Sequence, residues 1–543
     1  MIENKHIGKV IVGLMVICVI ASLLAVAHVP DAVATSTSSA VTMEYEDKLF
    51  DTSQIMTVNI IMEPEQWREL LDNAIQERYY ACDVEINGVL FQNVGIRTKG
   101  NTSLSSIAMD DTTDRYSFKL KFDEYVEGQT CFGLDKLVLN NNYADATNRK
   151  EAVVYDMFQF LDVDASLYNY AKISVNDEYW GTYLALEAIE DSFLLRNYGT
   201  QDGNLYKPET MGMGNEQEFP SPSGGEAERG EPPTPPEGES EREELPTPRD
   251  AETERGEFPS PPDGNLEHGD FPKAPDGEER KEFPQDFGDG MPGRSNGGAD
   301  LNYSDDNLES YETIWDGEKQ KSSDEEKERV VTAIRNINEG TDLEKYLDVD
   351  NILKYMAVHE FVVNEDSLSG NMAHNYYLYE SDGKLNLLPW DYNLSFGGMS
   401  ADGQKNDATS MVNDAIDTPF DGTQFFDALL ENEEYREKYY EYLRMLCEEY
   451  VQGGKLQELW QRLDEQTDTI IAEDPTAFYS EEEYTSAKEL LYEVIELRAQ
   501  SVLGQINGTI PSTESEQKEA KQTLIDATGI DLSIMGEFRG GGR

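Results

Sequence analysis

One long segment near the middle of the chain constrains the fold more than any other feature. Residues 209–300 are rich in Pro, Gly and Glu and poor in branched apolar residues. Such a segment cannot bury enough apolar surface to offset the entropy lost on ordering it. We therefore predict a long disordered insertion, with the patterned segments on either side of it forming one α+β domain.

The two ends of the chain are predicted to lie outside that domain. Lys5 and Lys9 precede an uncharged apolar run, residues 10–27, which is typical of a secretory signal peptide or an uncleaved membrane anchor. We assign residues 1–28 to this segment, 29–53 to a linker and 508–543 to a C-terminal tail. The expected location is extracytoplasmic, either anchored at the cell surface or secreted.

The charge of the chain excludes some partners. Its 44 Lys and Arg residues stand against 108 Asp and Glu residues, a formal charge of −64. Nucleic acid is not expected as a partner, because phosphate binding needs a basic surface. Membrane contact is expected through the N-terminal segment only. Cys82, Cys131 and Cys447 have no metal-type spacing, and we predict buried free thiols, with a Cys82–Cys131 disulfide as the alternative.

Local apolar patterns predict the regular elements. Alternation predicts strands at Val58, at 116–122 and at 137–139, and hairpins over 82–91 and 171–186. Helical spacing predicts helices that begin near Glu151 and over 327–347, 349–363, 424–430, 434–451, 455–472 and 481–503.

A third hairpin pattern lies between two carboxylates. Tyr376 and Leu378 alternate before the turn residues 381–383 (Ser-Asp-Gly), and a second apolar run follows at 385–388. A hairpin here would bring its two ends together, so that Asp366 and Asp391 could approach one site. Asn371 follows Asp366 at the spacing of a protein-kinase catalytic loop, where Asp receives the hydroxyl proton and Asn holds a metal.

Six blocks together resemble the CotH kinase family, secreted or spore-coat proteins with an atypical protein-kinase fold. These blocks are 97–103 (RTKGNTS), 116–122 (YSFKLKF), 136–141 (KLVLNN), 176–187, 203–207 (GNLYK) and 389–392 (PWDY). The resemblance spans about 54–507 apart from the insertion. It implies a two-lobe kinase-like fold. The β-rich N-terminal lobe and the start of the large lobe would occupy 54–208, and the helical C-terminal lobe would occupy 301–507.

The resemblance also implies a reaction. The expected activity is transfer of the γ-phosphoryl group of ATP, with Mg²⁺ or Mn²⁺, to hydroxyls of surface or coat proteins, and the acidic insertion is itself a possible substrate. Asp366 would be the catalytic base and Lys119 would neutralise phosphate. Asp391 would bind the metal together with Asn371 or Asn375, two residues between which the sequence does not decide.

Further residues are predicted to contact the nucleotide. Lys99 and Asn101 lie in a small polar loop that could cover phosphates with backbone N–H groups, although a plain turn would have the same composition. Glu151 would pair with Lys99 or with Lys119, or would simply complement the charge of its helix N-terminus. Glu187 would lie near the adenine or orient the linker between lobes, and Trp390 would stack on the base or pack in the core.

Two alternative functions stay open at this point. Scarcity of ATP outside cells favours a catalytically weak relative that acts as a scaffold or binding protein. Another metal-dependent transfer, such as nucleotidylation, would use the same carboxylates. Asn393 stands where family members commonly have a second Asp, which removes one charge from the predicted metal site.

Overall fold

The fold is that of a computed structural model, which describes residues 40–208, 298–370, 372–399, 407–418, 420, 423–536 and 538. The predicted signal or anchor segment, almost all of the predicted insertion, and Asn371 lie outside these residues. The described residues form a mixed α+β structure, which confirms the predicted fold class at that level. No helix among them is long and apolar enough to cross a membrane.

A closed barrel of seven strands lies within residues 56–187. The strands are β1 Met56–Ile61, β2 Tyr80–Ile86, β3 Val89–Lys99, β4 Ser117–Lys121, β5 Lys136–Asn140, β6 Tyr168–Val175 and β7 Glu178–Glu187. Around the barrel they run in the order β1-β2-β3-β4-β5-β7-β6. All neighbours are antiparallel except β1 and β6, which pair in parallel and so close the barrel.

Alternation along the strands separates the barrel interior from its outer face. Phe118 and Leu120 of β4 are completely buried in the interior, whereas Lys119 between them points outward. Two hairpin turns use residues that tolerate positive φ. Asn87 and Gly88 have φ of 49° and 79°, and Asn176 and Asp177 have 51° and 69°. The predicted hairpins over 82–91 and 171–186 are thereby confirmed.

A second, three-stranded sheet carries the hairpin predicted from its alternating run. It consists of β8 Asn204–Tyr206, β9 Tyr376–Ser381 and β10 Lys384–Pro389, in the order β10-β9-β8. Leu378 lies opposite Leu387 in the β9–β10 ladder. The turn between them contains Asp382 and Gly383, both with positive φ.

Helices make up most of the remaining structure. They are α1 Glu44–Leu49, α2 Pro64–Asp72, α3 Thr102–Ala108, α4 Lys150–Phe160, α5 Asp191–Tyr198, α6 Glu312–Trp315, α7 Asp324–Asn338, α8 Leu343–Tyr346, α9 Val349–Val362, α10 Ala408–Val412, α11 Asp427–Glu431, α12 Glu433–Arg444, α13 Lys455–Ala472, α14 Glu481–Ile506 and α15 Glu514–Glu519. A π-helical segment, Met445–Val451, continues α12, and a short 3-10 helix, Leu532–Met535, lies near the C-terminus.

Helix α4 joins the barrel to the helical part of the molecule. Its buried residues, including Val153 and Phe158, belong to the same core as Val138, Leu184 and Leu186, which cover the outer face of β5 and β7. The barrel interior has a separate core, into which α2 packs Trp67. Because α4 is buried on the outside of the barrel, its first turn is held next to the end of β5.

Three sequence predictions about elements need correction. The single helix expected over 327–347 is two helices, α7 and α8, because Gly340 takes φ of 65° between them. The expected linker contains α1, where Tyr45 is completely buried and donates a hydrogen bond to Glu187. The expected tail packs into the domain, since Leu532 and Met535 are buried.

The cysteines follow the first prediction made for them. Cys82, Cys131 and Cys447 are buried free thiols, so the alternative Cys82–Cys131 disulfide does not form. Burial raises the pKa of the Cys82 thiol to about 12. These side chains therefore act as small apolar core residues.

Candidate functional site

The β9–β10 hairpin brings two segments of the chain to one place. Its register pairs Tyr376 with Pro389, so the segment before β9 and the segment after β10 lie at the same end of the sheet. Asp366 precedes the hairpin and Asp391 follows it. The two carboxyl groups are close enough for Asp366 to raise the pKa of Asp391, after the larger effect of burial.

Asp366 is held by two residues of the loop that leads into β9. His374 Nε2 lies 2.7 Å from Asp366 Oδ1. The Asn375 amide nitrogen donates to the Asp366 carbonyl oxygen at 2.8 Å and to its Oδ2 at 3.1 Å. Both carboxylate oxygens of Asp366 are thus oriented. The amide oxygen of Asn375 is then the atom of that side chain able to bind a cation.

The barrel contributes a lysine and a glutamate through an asparagine bridge. Lys99 is the last residue of β3, and its Nζ donates to Asn140 Oδ1 at 3.0 Å. The amide nitrogen of Asn140, at the end of β5, donates to Glu151 Oε2 at 2.8 Å. An amide therefore stands where a direct ion pair was predicted. Lys99 is the lysine whose charge acts on Glu151, rather than Lys119.

Burial disfavours the charged forms of the carboxyl groups in this cluster. It raises the pKa of Glu151 to about 8, with a further upward contribution from Asp391 and opposing ones from Asn140 and Lys99. Burial also raises the pKa of Asp391, against the opposing charges of Lys99 and Lys207. Within the described part of the chain, Glu151 Oε1 is buried and has no hydrogen-bond partner. Binding of one more cation to this cluster would therefore cost little free energy.

Aromatic rings form one wall of the cluster. Lys99 Nζ lies 5.6 Å from the ring centre of Trp390. The rings of Trp390 and Tyr377 pack edge to face, with their centres 5.5 Å apart. Lys207 Nζ lies 5.9 Å from the ring of Tyr377. Trp390 is only 5% exposed, so packing accounts for most of its surface, and an ammonium group occupies one face of its ring.

Lys119 lies on a neighbouring cationic patch, which we define as Arg97, Lys119 and Lys136. Arg97 and Lys119 are directly opposite in the β3–β4 ladder, and Arg97 is two residues from Lys99 on the same face of β3. Glu190 lies 3.8 Å from Lys119 Nζ and 3.0 Å from Lys136 Nζ. Burial lowers the pKa of Lys119 to about 7, although Glu190 opposes this effect.

Two predicted nucleotide contacts are placed differently by the structure. Glu187 is completely buried, and its carboxylate accepts hydrogen bonds from Tyr45 and the backbone N–H of Leu167 and pairs with Arg196 at 2.6 Å. This leaves no free side-chain oxygen for adenine and fits the alternative role of orienting the chain. Asn101 is exposed just before α3, and the predicted loop is a turn from strand to helix.

A buried histidine joins the two carboxylate loops. His359, near the end of α9, has its Nδ1 3.0 Å from the Tyr392 hydroxyl and its Nε2 2.7 Å from Ser369 Oγ and 3.1 Å from Ser367 Oγ. Burial lowers the pKa of His359 to about 3, so the ring is neutral at physiological pH. It connects the loop of Asp366 with the residue that follows Asp391.

The donor set fits a divalent cation that is shared with a phosphate ligand. No cluster of three or more His, Cys, Asp or Glu side chains suited to a metal occurs in the described residues. Mg²⁺, however, usually takes one or two carboxylates and completes its shell with water and substrate phosphates. Asp391 makes no side-chain hydrogen bond to any described residue, and with Asn375 it offers such a partial set.

Several residues of the cluster were missed by sequence reasoning. Asn140 and Lys207 lie inside the KLVLNN and GNLYK blocks, and His374 immediately precedes Asn375. A polar residue directly after a buried strand was the available signal for Asn140. The signal for His359 was a polar residue on the otherwise apolar face of α9.

A comparison with protein families finds a match over most of the chain. A family model described as CotH kinase protein matches residues 96–246 and 282–502. The matched ranges contain Lys99, Glu151, Asp366 and Asp391. No curated protein matches the chain.

Proposed function

The chain belongs to the CotH kinase family, and we propose that it is an exported kinase that transfers the γ-phosphoryl group of ATP to hydroxyls of surface or coat proteins. Membership in the family implies a kinase-like protein that uses ATP and a divalent metal. The observation that best supports the proposal is the convergence of Lys99, Glu151, Asp366 and Asp391 from four separate segments. We also propose that the barrel and the helical part correspond to the two lobes of a kinase-like fold.

Asp366 is proposed as the catalytic base. A base must be oriented toward the hydroxyl whose proton it accepts, and two neighbouring side chains hold both oxygens of Asp366. The imidazole of His374 at 2.7 Å can share the incoming proton. The acceptor hydroxyl is proposed to bind between Asp366 and Asp391.

Asp391 and Asn375 are proposed to hold Mg²⁺ or Mn²⁺, with Asn371 as an alternative ligand. The bound ion would neutralise charge that develops on the transferred phosphoryl group. Asp391 contributes a carboxylate without competing hydrogen bonds in the described structure. Glu151 and Asn140 would keep Lys99 directed at the phosphates.

Lys99, Lys207 and the cationic patch are proposed to hold the polyphosphate. The patch is continuous with Lys99 along the outer face of β3, so Lys119 could reach a phosphate that Lys99 does not. A local group of Lys and Arg side chains is needed to bind a nucleotide in a chain with a formal charge of −64, because most of its surface repels nucleotides. Trp390 would border the nucleotide rather than stack on the base, because Lys99 already lies over its ring.

The location of the protein belongs to the same proposal. The family suggests an extracellular or surface position, and the apolar N-terminal run predicts export. The acidic insertion is a proposed substrate of the protein itself, alongside coat or surface proteins.

A catalytically weak scaffold is the second candidate function. The Asn393 amide donates to the carbonyl oxygen of Tyr143 at 3.0 Å. The position where family members commonly carry a second Asp therefore serves packing here. A reduced negative charge at this point favours weaker metal binding.

Label transfer tests the proposal directly. The purified chain is incubated with γ-labelled ATP and Mg²⁺ or Mn²⁺, alongside Asp366→Asn and Asp391→Asn. Asp382→Asn is the matched control, because Asp382 is exposed in the same hairpin and shares the positive φ of Asp391, 52° against 62°.

The outcomes separate the candidate functions. Label incorporated by the wild type and by Asp382→Asn, but lost in the other two variants, supports the kinase. Absence of label together with absence of metal-dependent nucleotide binding in calorimetry would leave the scaffold. Label from α-labelled ATP would instead indicate nucleotidylation.

A further inference from the structure

The last described residues of the chain do not form a free tail. Residues 531–536 and 538, which we call the C-terminal strap, begin with the 3-10 helix Leu532–Met535. Leu532 is 3% exposed and Met535 is completely buried. The strap is therefore anchored in the core before it reaches the residues discussed next.

One side of the strap holds the loop that leads into α4. The backbone N–H of Ala146 donates to the carbonyl oxygen of Met535 at 3.1 Å. Lys150 is completely buried, and its Nζ donates to the carbonyl oxygen of Gly536 at 3.4 Å. Lys150 is the residue directly before Glu151, so the strap contacts the turn that positions this carboxylate.

The other side of the strap holds the loop that follows Asp391. The backbone N–H of Phe538 donates to the carbonyl oxygen of Gly398 at 3.1 Å. The ring of Phe538 meets Tyr143 edge-on at 6.2 Å, and the Tyr143 carbonyl accepts the amide of Asn393. The strap thus bridges the loop before Glu151 and the loop after Asp391.

Gly536 is the tightest point of this arrangement. It has φ of 85°, and a Cβ at this position would lie 2.5 Å from the Ala144 carbonyl oxygen and 2.7 Å from the Ala146 nitrogen. Both values are closer than a carbon atom can approach backbone. A side chain at position 536 would push the strap away from the loop that leads into α4.

We propose that the C-terminal strap is a positioning element of the phosphotransfer site, which sets the distance between Glu151 and Asp391. This inference rests on the proposed kinase function. Two loops from separate parts of the chain must hold one nucleotide, and a misplacement of about 1 Å can lower a rate about 100-fold. The strap contacts both loops without touching either carboxylate.

The test compares two glycine substitutions in the full-length chain. Gly536→Ala introduces the clash described above. Gly529→Ala is the matched control, because a Cβ there meets nothing within 4 Å. A third variant ends the chain after Gly536, which removes the Phe538 contacts but keeps Leu532 and Met535 in the core.

Hydrogen exchange and kinetics are measured together. We expect Gly536→Ala to increase exchange of the Ala146 amide, to lower kcat about tenfold or more and to change KM for ATP much less. The shortened chain should lose kcat in the same way. Gly529→Ala should match the wild type in both measurements and in thermal unfolding. Gly536→Ala should unfold at a lower temperature, because Ala is strained at φ of 85°, so exchange and kinetics are measured well below its unfolding midpoint.

Two results would overturn the proposal. One is faster exchange at Ala146 with an unchanged kcat, which would make the strap a structural anchor only. The other is unchanged exchange at Ala146 in Gly536→Ala. Failure of the kinase function itself gives a different result, because the wild type would then transfer no label. The exchange measurements do not affect that conclusion.

Discussion

Glu151 and Asp391 place two carboxyl groups in one largely buried cluster. The Asn140 amide bonds one oxygen of Glu151, and the other oxygen has no partner among the described residues. Buried polar atoms without partners are costly and tend to occur at functional sites. The cluster therefore lowers the free energy of unfolding when no ligand is bound.

Glu151→Gln should raise the stability of the protein and lower its activity. At pH 9, above its pKa of about 8, Glu151 is ionised, so the substitution ends its repulsion with Asp391 while the amide oxygen can still accept from Asn140. We expect the free energy of unfolding of the metal-free variant to exceed that of the wild type by about 0.5–2 kcal/mol. We expect its rate of label transfer to fall about tenfold or more. Urea denaturation and the labelled-ATP assay measure the two effects. Glu465→Gln, at an exposed site on α13, should change neither, and a Glu151→Gln variant less stable than the wild type would contradict the prediction.

Lys99 and Lys119 should differ in kinetic effect. Lys99 lies in the cluster and Lys119 on the adjoining patch, so Lys99→Met should lower kcat and Lys119→Met should mainly raise KM for ATP. Initial rates over a range of ATP concentrations separate the two parameters. Equal losses of kcat in both variants would mean that Lys119 contacts the transferred phosphoryl group, as the sequence alone suggested.

Local patterns predicted the hairpin and the helix that frame the site. Ser381, Asp382 and Gly383 form a recognisable turn between two apolar runs, and α9 ends within one residue of its predicted end. Both depend on residues close together in the chain. Nothing in a local pattern could indicate that Asn140 would bridge Lys99 and Glu151, because that contact depends on which strands are neighbours in the barrel.

The same limit applies to Glu187. The sequence placed its charge near the adenine or in a role that orients the linker between lobes, and in the structure Arg196 and Tyr45 pair with it and bury it. Its partner Tyr45 lies 142 positions away, in a helix too short to show a clear periodicity. Contacts over such separations are set by the packed fold and not by local sequence.

Helix α9 carries a histidine that should make stability depend on pH. The pKa of His359 is about 3 in the folded state, whereas histidine in an unfolded chain has a pKa of about 6.5. Between these values the unfolded chain binds a proton that the folded chain does not. The free energy of unfolding should therefore fall as pH drops below 6.5, by about 1.4 kcal/mol per pH unit from this group.

His359→Asn provides the comparison. Urea denaturation at pH 7.5, 6.0 and 5.0 should give a steeper loss of stability for the wild type than for the variant. The variant itself should be less stable at pH 7.5, because the Tyr392 and Ser369 hydroxyls lose their ring partner. Parallel pH dependences for the two proteins would mean that His359 does not stay neutral in the folded state.

Across the whole molecule, one buried ion pair ties the barrel to the C-terminal helices. Arg115 and Asp474 are each 2% exposed and lie 2.8 Å apart. Arg115 also donates to the carbonyl oxygens of Asn141 and Thr182. One side chain therefore joins strands of the barrel to the segment between α13 and α14.

Arg115→Met should destabilise the protein by about 3–5 kcal/mol, because it leaves the Asp474 carboxylate buried without its partner. The double variant Arg115→Met/Asp474→Leu should recover part of this loss. Urea denaturation of the single and double variants measures both. Lys518→Met, at an ion pair whose side chains are 72% and 50% exposed, is the control and should cost under about 1 kcal/mol. No recovery in the double variant would show that the other Arg115 contacts dominate.

The backbone of Asp391, with φ of 62°, limits how this position can change over evolutionary time. Left-handed φ is accepted readily by Gly, Asn and Asp and resisted by most other residues. Asn and Gly codons each differ from Asp codons by a single base, and both residues lack the charge. A descendant of this chain could thus lose the charge of the proposed metal ligand in one mutational step and keep its fold. Under the proposed function, active enzymes and inactive binding proteins can therefore be close neighbours in the same lineage.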